Sequence, residues 1–176
     1  MRKPGWLKVK LPSGPEFERV NSSLTRLRLN TVCSSARCPN LADCWRRGTA
    51  TVMILGDICT RHCRFCAVSN GNPRGQTDAE EPERVARAVA ELGLKYVVLT
   101  SVDRDDLKDM GAGIFAQTVM DIRESQVVDR RSQIPLVEVL TPDFGGRRDL
   151  LKQVVAARPD VFGHNIETVE RLTPHV

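Results

Sequence analysis

The sequence contains no long apolar run and no recognisable targeting segment. Nowhere in its 176 residues does an apolar stretch approach the about 18 side chains that predict a membrane-spanning helix. Its first residues lack the apolar centre of a secretory signal and the amphipathic, Ser/Arg-rich pattern of a transit peptide. These absences predict a cytoplasmic protein without a membrane partner.

Aromatic residues are also scarce, at 5% of the chain, and this bears on the meaning of its positive charge. Residues 1–50 carry ten Lys and Arg against three Asp and Glu, although the net charge of the whole sequence is only +4. Without interleaved aromatics or a nucleic-acid-binding motif, this bias does not predict an RNA or DNA surface. It is typical of a solvated basic face, or of a docking surface for an acidic protein partner.

Cysteine, in contrast, is plentiful. Six cysteines occur in an otherwise ordinary globular composition, 41% hydrophobic and 27% charged. Because no secretion signal accompanies them, they favour metal or redox use in a reducing compartment over a disulfide framework.

Three of the cysteines follow an apolar run that begins at Met53, with the spacing Cys59-x3-Cys63-x2-Cys66. A thiolate triad this tight can hold three irons of a cubane iron–sulfur cluster and leave the fourth iron open to a substrate. Two alternatives are a zinc site, for which His62 is the only nearby fourth ligand, and three buried free thiols on one helix face. The charged and hydroxylated residues between the cysteines argue against buried thiols.

The other three, Cys33, Cys38 and Cys44, lie in Ser-, Pro- and Asn-rich sequence typical of loops. Three thiolates within twelve residues are again a strong metal signal, because chain reversals let them converge on one centre. A structural zinc knuckle that lacks its fourth ligand, or a mixed site, remains open as an alternative.

From Thr49 onward the sequence alternates between strand and helix patterns, after an extended lead-in and a helical pattern near Val20–Leu29. Such repeats predict parallel strands with right-handed crossovers, in a barrel-type α/β layout. The predicted strands are Thr51–Leu55, Tyr96–Leu99, Leu136–Leu140 and one that begins at Val161–Phe162. The first predicted helix begins at Pro82 and stops at Gly93. The other three cover Ala112–Ser125, Asp149–Ala157 and Thr168–Leu172.

Polar residues follow every predicted strand, which is where catalytic groups lie in α/β barrels. They are the cysteine loop, Thr100–Asp106, Thr141–Asp143 and His164–Glu167. Taken singly, Asp105, Asp106 and Asp143 are more typical of solvated turns, but four such segments in succession predict a common site.

The Cys59-x3-Cys63-x2-Cys66 loop, with Phe65 before its last cysteine, resembles the signature of the radical S-adenosylmethionine (SAM) enzymes. Within that superfamily, the sequence resembles the lipoyl synthase family from Trp6 to the last residue. This narrower resemblance rests on the segments TVCSSARCPN, RGTATVMILGDICTRHCRFCAV, TSVDRDDL, VEVLTPDFGG and PDVFGHNIETV. The implied fold is an incomplete (β/α)6-type radical-SAM partial barrel. About four β/α units would occupy residues 49–176, after a cysteine-rich extension at residues 1–48.

The resemblance also implies two 4Fe–4S clusters and SAM as cofactors. Cys59, Cys63 and Cys66 would hold the catalytic cluster, and Cys33, Cys38 and Cys44 the auxiliary cluster. The implied SAM contacts are Thr100, Ser101 and Asp103 at the amino group, Asn165 or Glu167 at the ribose, and Phe65 beside the adenine. His164 is either a pocket donor or a structural hydrogen-bonding residue. Ser34 and Ser35 depart from the family, which usually has acidic residues after the first cysteine.

The implied activity is insertion of two sulfur atoms at carbons 6 and 8 of an octanoyl group on a lipoyl-carrier protein. That carrier would be a lipoyl domain of a 2-oxoacid dehydrogenase E2 or a glycine-cleavage H protein, with reduced ferredoxin or flavodoxin as electron donor. An iron–sulfur electron-transfer module is one alternative, although its clusters would need four protein ligands each. A zinc-stabilised structural module is the other, and it would be colourless and would unfold on chelation.

The sequence stops at Val176 without the family's last two strand–helix units or its Arg-Ser-Ser-Tyr motif, whose serine is the fourth auxiliary ligand. We therefore expect an N-terminal portion of a longer enzyme, or a truncated product. The 176-residue chain alone should form no lipoyl product, because the pocket wall and the fourth ligand would be missing. Mass spectrometry of an octanoylated lipoyl domain after anaerobic incubation with the reconstituted chain, SAM and a reductant tests this. A dithiolated product would contradict it, and would direct attention to Ser34 and Ser35 as ligands.

Overall fold

The computed structural model describes residue 4 and residues 13–36, 38–128 and 134–175, so most of the predicted N-terminal lead-in lies outside the described residues. The helices are α1 (Pro15–Arg26), α2 (Val32–Ser35), α3 (Leu41–Arg46), α4 (Glu81–Leu92), α5 (Ala112–Val128) and α6 (Arg148–Ala156). The strands are β1 (Asn30–Thr31), β2 (Thr49–Ile54), β3 (Ile58–Cys59), β4 (Ser69–Asn70), β5 (Tyr96–Ser101), β6 (Leu136–Leu140) and β7 (Val161–Gly163). Among the described residues, no helix has both the length and the apolar character needed to span a bilayer.

The main sheet has the strand order β1-β2-β5-β6-β7, in which β2, β5, β6 and β7 are mutually parallel. Within the described residues, each crossover between successive parallel strands carries one α-helix, preceded in the last crossover by a short 3₁₀-helix (Phe144–Gly146), and α4 packs on α5 as α5 packs on α6. The prediction of repeated β/α units with a parallel sheet is therefore confirmed. The arrangement is that of an incomplete parallel β/α barrel wall, in which all four parallel strands end at the same edge.

Burial explains why these segments form the sheet and its helical cover. Val97, Leu99, Val137 and Val139 are fully buried, as expected for β-branched and apolar residues in strands that are covered by helices. Helix α4 buries a 3.6-period apolar stripe and ends at Gly93, whose φ of +61° is the left-handed conformation that closes a helix. The predicted stop at this glycine is confirmed.

The N-terminal cysteine segment is attached to the edge of this sheet. Strand β1 pairs antiparallel with β2, with Asn30 opposite Met53, and α1 packs against α3. The ring of Phe17 stacks on that of Trp45, with 5.3 Å between their centroids. The buried side chains of α1 and α3 join those of the sheet in one cluster, and the division into residues 1–48 and 49–176 remains a prediction.

The fourth predicted helix, Thr168–Leu172, is present two residues further along the chain and is a 3₁₀-helix rather than an α-helix. The structure has a 3₁₀-helix at Glu170–His175, in which the Leu172 N–H donates to the Val169 carbonyl at 2.9 Å. Pro174 lies inside this segment and has no N–H to donate, which limits the helix to short-range bonds. The first predicted strand also shifts, because Leu55 has a φ of +69° and the strand ends at Ile54.

Gly111, near the site, leaves very little room for a side chain, and this gives a stability prediction. A Cβ at this position would lie 2.2 Å from Cδ1 of the buried Leu55, and the φ of Gly111 is +85°. Gly146 has a similar φ of +73° but open space around it. We expect Gly146→Ala to cost about 1 kcal/mol of unfolding free energy from backbone strain. Gly111→Ala should cost a further roughly 1–3 kcal/mol from overpacking.

Urea denaturation of the parent and both variants measures the difference. Equal losses in the two variants would show that the Leu55 contact relaxes without cost.

Candidate active site

A cavity of about 600 Å³ opens at the ends of the parallel strands. Its wall is formed by the cysteine loop that follows β2 and by the loops after β5, β6 and β7. Every residue predicted for the catalytic cluster and for SAM lines this one cavity. They are Cys59, Cys63, Phe65, Cys66, Thr100, Ser101, Asp103, Asn165 and Glu167. The structure thus places them together, and their roles as ligands remain predictions.

The cysteine loop leaves the sheet and forms a small structure of its own. Strands β3 and β4 pair in parallel, with Cys59 opposite Asn70. A turn then brings the Cys66 N–H to the Cys63 carbonyl at 3.1 Å. Cys59 and Cys63 are half-buried, whereas Cys66 is exposed, as is 54% of Phe65. The loop therefore presents its thiols and one aromatic ring to the cavity.

The sulfur of Cys59 is the most constrained of the three. It accepts the backbone N–H of Asp103 at 3.3 Å and that of Arg61 at 3.5 Å. Burial raises the pKa of this thiol, and the two N–H groups oppose the shift. Amide donors directed at sulfur suit a thiolate, the form in which cysteine binds iron.

Arg61, between Cys59 and Cys63, ties the cysteine loop to two strand ends. Its Nε and Nη2 donate to the Asp105 carboxylate at 2.9 and 2.8 Å. Its Nη1 and Nη2 donate to the Asp143 carboxylate at 2.7 and 2.9 Å. These hydrogen bonds raise the pKa of Arg61 and lower that of Asp105, and they lower the pKa of Asp143 from 3.8 to about 2. Two bidentate pairs on one guanidinium are a specific, charge-assisted anchor.

Asp103 is the third carboxylate beside Arg61, and its pairing is looser. Its Oδ1 lies 3.5 Å from Nη1 of Arg61, and its Oδ2 lies 3.8 Å from the sulfur of Cys59. Burial raises the pKa of Asp103. The main chain of Asp103 is firmly held, because its carbonyl accepts the N–H and the hydroxyl of Thr60, each at 3.0 Å.

A buried arginine closes the base of the same loop. Arg104 is only 2% exposed, and its guanidinium pairs with Asp106 at 2.8 Å. It also donates to the carbonyls of Leu55, before the cysteines, and Gln76, after them, at 3.2 and 2.7 Å. Both ends of the loop are thereby fixed to the segment after β5.

The far wall of the cavity is polar, and only some of its polar groups are hydrogen-bonded to other described residues. Nδ1 of His164 lies 2.9 Å from the Thr141 carbonyl, so the predicted structural hydrogen bond of this histidine is present. Among the described residues, the buried hydroxyls of Ser101 and Thr141 have no hydrogen-bond partner. Buried hydroxyls in a cavity wall suit a polar ligand that would complete their bonding.

The three cysteines predicted for the auxiliary cluster lie apart from the cavity. Cys33 is buried in α2, Cys44 lies in α3, and the Cys38 N–H donates to the Cys33 carbonyl at 3.0 Å. Burial raises the pKa of the Cys44 thiol, and the neighbouring thiols of Cys33 and Cys38 raise it further, so the three are near one another. The described residues that line the cavity do not include any of these three.

Among the described residues, no group of three or more His, Cys, Asp or Glu side chains converges as the ligands of one metal ion do. A cubane makes a different demand, because each thiolate binds its own iron at a separate corner. The two N–H groups that point at the sulfur of Cys59 suit such a thiolate.

Sequence reasoning missed Arg61 and Arg104. It also treated Asp105, Asp106 and Asp143 singly as solvated turns, whereas each pairs with one of these arginines. The available signal was an arginine inside a tight cysteine triad, in a chain with an acidic run directly after its second strand.

The chain matches the radical SAM superfamily over residues 53–175 and therefore belongs to that superfamily. Residues 1–38 match the N-terminal domain of lipoyl synthase of the same family. The chain is 55% identical to the lipoyl synthase of Thermus thermophilus over 174 residues, which are 99% of this chain and 52% of that protein. It is 57% identical to the lipoyl synthase of Pyrobaculum arsenaticum over 98% of this chain and 56% of that protein. The chain thus spans about half the length of the curated relatives it matches.

The Arg61–Asp143 pair predicts a pH effect on stability. Because the pKa of folded Asp143 is about 2, below its ordinary 3.8, the ionised carboxylate stabilises the fold above about pH 4. This contribution is lost as the pH falls toward 2. Asp143→Asn should remove this contribution, so it should flatten the decline between these values and lower the stability at pH 7 by the same amount, which is modest since the side chain is 48% exposed.

Urea midpoints measured against pH report the effect. Arg61→Gln removes its main cause and should flatten the same limb, so an unchanged decline in that variant contradicts the assignment.

Proposed function

We propose that this chain serves the reaction of a lipoyl synthase, the insertion of two sulfur atoms at carbons 6 and 8 of a protein-bound octanoyl group. The observation that carries the proposal is the shared cavity. The three cysteines of the radical SAM motif and the polar ends of β5 and β7 line the same space. Similarity to lipoyl synthases over nearly the whole chain supports this reaction over others of the superfamily.

The residues present fit a 4Fe–4S cluster and SAM. Cys59, Cys63 and Cys66 would hold the cluster, and two amide donors already point at the sulfur of Cys59. When bound, the two clusters and SAM supply the electron, the radical chemistry and the sulfur atoms of the reaction. The protein's part is to orient these groups and to exclude water.

The charge of the cavity suits SAM, which carries a sulfonium and an ammonium group. Asp103, Asp105 and Asp143 face a single guanidinium, that of Arg61, so these four groups together are negative. Asp105 and Asp143 spend both carboxylate oxygens on Arg61. Asp103 is the most weakly paired of the three, and we assign it to the amino group of SAM, with Thr100 and Ser101 beside it.

The opposite side of the cavity suits the nucleoside. Asn165 and Glu167 follow β7 and offer polar atoms to the ribose hydroxyls. The exposed ring of Phe65 would be covered by the adenine, an arrangement that stacking favours. Cys33, Cys38 and Cys44, outside the cavity, would hold the auxiliary cluster that is the sulfur source.

The partners follow from the same reaction. An octanoylated carrier protein is the substrate, as a lipoyl domain of a 2-oxoacid dehydrogenase E2 or a glycine-cleavage H protein. Reduced ferredoxin or flavodoxin would deliver electrons, and the reaction would take place in the cytoplasm.

Iron counting tests the two cysteine groups. The anaerobically reconstituted chain should hold about eight irons, in two cubanes. Replacing Cys59, Cys63 and Cys66 by Ala should remove half of them, and replacing Cys33, Cys38 and Cys44 should remove the other half. Either variant with the iron content of the parent would contradict that assignment.

Electron paramagnetic resonance of the reduced clusters then assigns SAM. In the parent and in the variant without the auxiliary cysteines, SAM should shift the signal of the remaining catalytic cluster. A shift that persists without Cys59, Cys63 and Cys66 would show that the two roles are exchanged.

A further inference from the structure

Arg61 is a charged side chain in the cavity wall that the reaction itself does not use. It stands two residues from Cys59 and two from Cys63, and its guanidinium is one-third exposed. Four hydrogen bonds of 2.7–2.9 Å join it to carboxylates at the ends of β5 and β6. One side chain thus spans three of the four segments that build the cavity.

Resting on the proposed function, we propose that Arg61 is a positioning residue for SAM: it fixes the cysteine loop against two strand ends and keeps Asp103 open to the ligand. The geometry separates the carboxylates by role. Asp105 and Asp143 each accept from the guanidinium with both carboxylate oxygens, and each accepts one further bond, from Thr60 and Gly145 respectively, whereas Asp103 meets the guanidinium only at 3.5 Å. Without Arg61, the cysteine loop would lose its bonds to Asp105 and Asp143, and the Asp103 side chain would lose its contact with Nη1, so the ammonium site would no longer be held in one position relative to the loop.

Arg61 does not carry the loop alone, and this separates SAM positioning from cluster binding. Thr60 attaches the cysteine loop to the segment after β5 independently of Arg61, through two hydrogen bonds of 3.0 Å to the Asp103 carbonyl. Arg104 holds the loop base at Leu55 and Gln76. We therefore expect the three thiols to remain in place, and the cluster to assemble, when the Arg61 side chain is removed.

The experiment uses the full chain, reconstituted anaerobically, with iron content and a SAM titration of the resonance shift as readouts. Arg61→Ala should keep the parent's iron and need about ten- to a hundredfold more SAM for half the shift, the value of one to two charge-assisted bonds. Arg61→Lys should recover only part of the loss, because an ammonium group cannot make two bidentate pairs. Asp143→Asn, which removes one anchor, should fall between Arg61→Ala and the parent.

Arg147→Ala is the matched control. That arginine also pairs with a neighbouring carboxylate, of Asp149 at 2.5 Å, and donates to the Lys108 carbonyl at 2.7 Å, yet it is not part of the cavity wall. Its SAM titration should equal that of the parent.

A parent-like SAM titration in both Arg61→Ala and Asp143→Asn overturns the inference. Loss of iron from the catalytic cluster in Arg61→Ala overturns it as well, because the residue would then serve the cluster itself. If the parent shows no shift with SAM, the proposed function fails and the inference fails with it, whereas a normal parent beside unaffected variants removes the inference alone.

Discussion

The site depends on how one residue, Leu55, is held where β2 ends. Its N–H donates to the buried carboxylate of Glu81 at 2.7 Å, and its carbonyl accepts the buried guanidinium of Arg104 at 3.2 Å. Leu55 has a φ of +69°, a conformation that costs energy for a residue with a Cβ. These hydrogen bonds to two buried side chains, Glu81 and the Asp106-paired Arg104, offset that cost and turn the chain out of the sheet toward the cysteines.

These contacts join the scaffold to the chemistry. Glu81 opens α4, and Arg104 follows β5, so the cysteine loop is fixed by the first two β/α units of the wall. Leaving the buried Glu81 carboxyl without its N–H donor, or removing one donor–acceptor contact from Arg104, would leave a buried polar group less satisfied, so the loop and these units are stable together. Arg61 then adds the third unit, through Asp143. The loop is irregular in secondary structure but is tied at many points.

Much of this could be predicted from sequence because it is local. The β-branched runs predicted the parallel strands, and Gly93 predicted a helix end. The positions of Asp103, Asn165 and Glu167 directly after strands predicted that they share a site, and all three line the cavity. The long-range side-chain contacts could not be predicted, since Arg61 reaches the Asp143 carboxylate across 82 positions and Arg104 reaches the Leu55 carbonyl across 49. Spacing rules contain no information on such distant partners. The short β1, α2 and α3 were missed because two to six residues give no periodicity to detect.

The two edge strands of the sheet, β1 and β7, differ in how readily a further strand could pair with them. At the β2 side, Asn30 and Thr31 occupy the hydrogen-bonding edge and terminate it with a strand of only two residues. At the other side β7 is a parallel edge strand, and its Val161 and Phe162 are each about 40% exposed. Pairing with a further strand, whether of the same chain or of another chain in aggregation, is therefore favoured at β7 over the two-residue β1. A charged residue introduced on β7 would hinder the pairing of another strand with this edge.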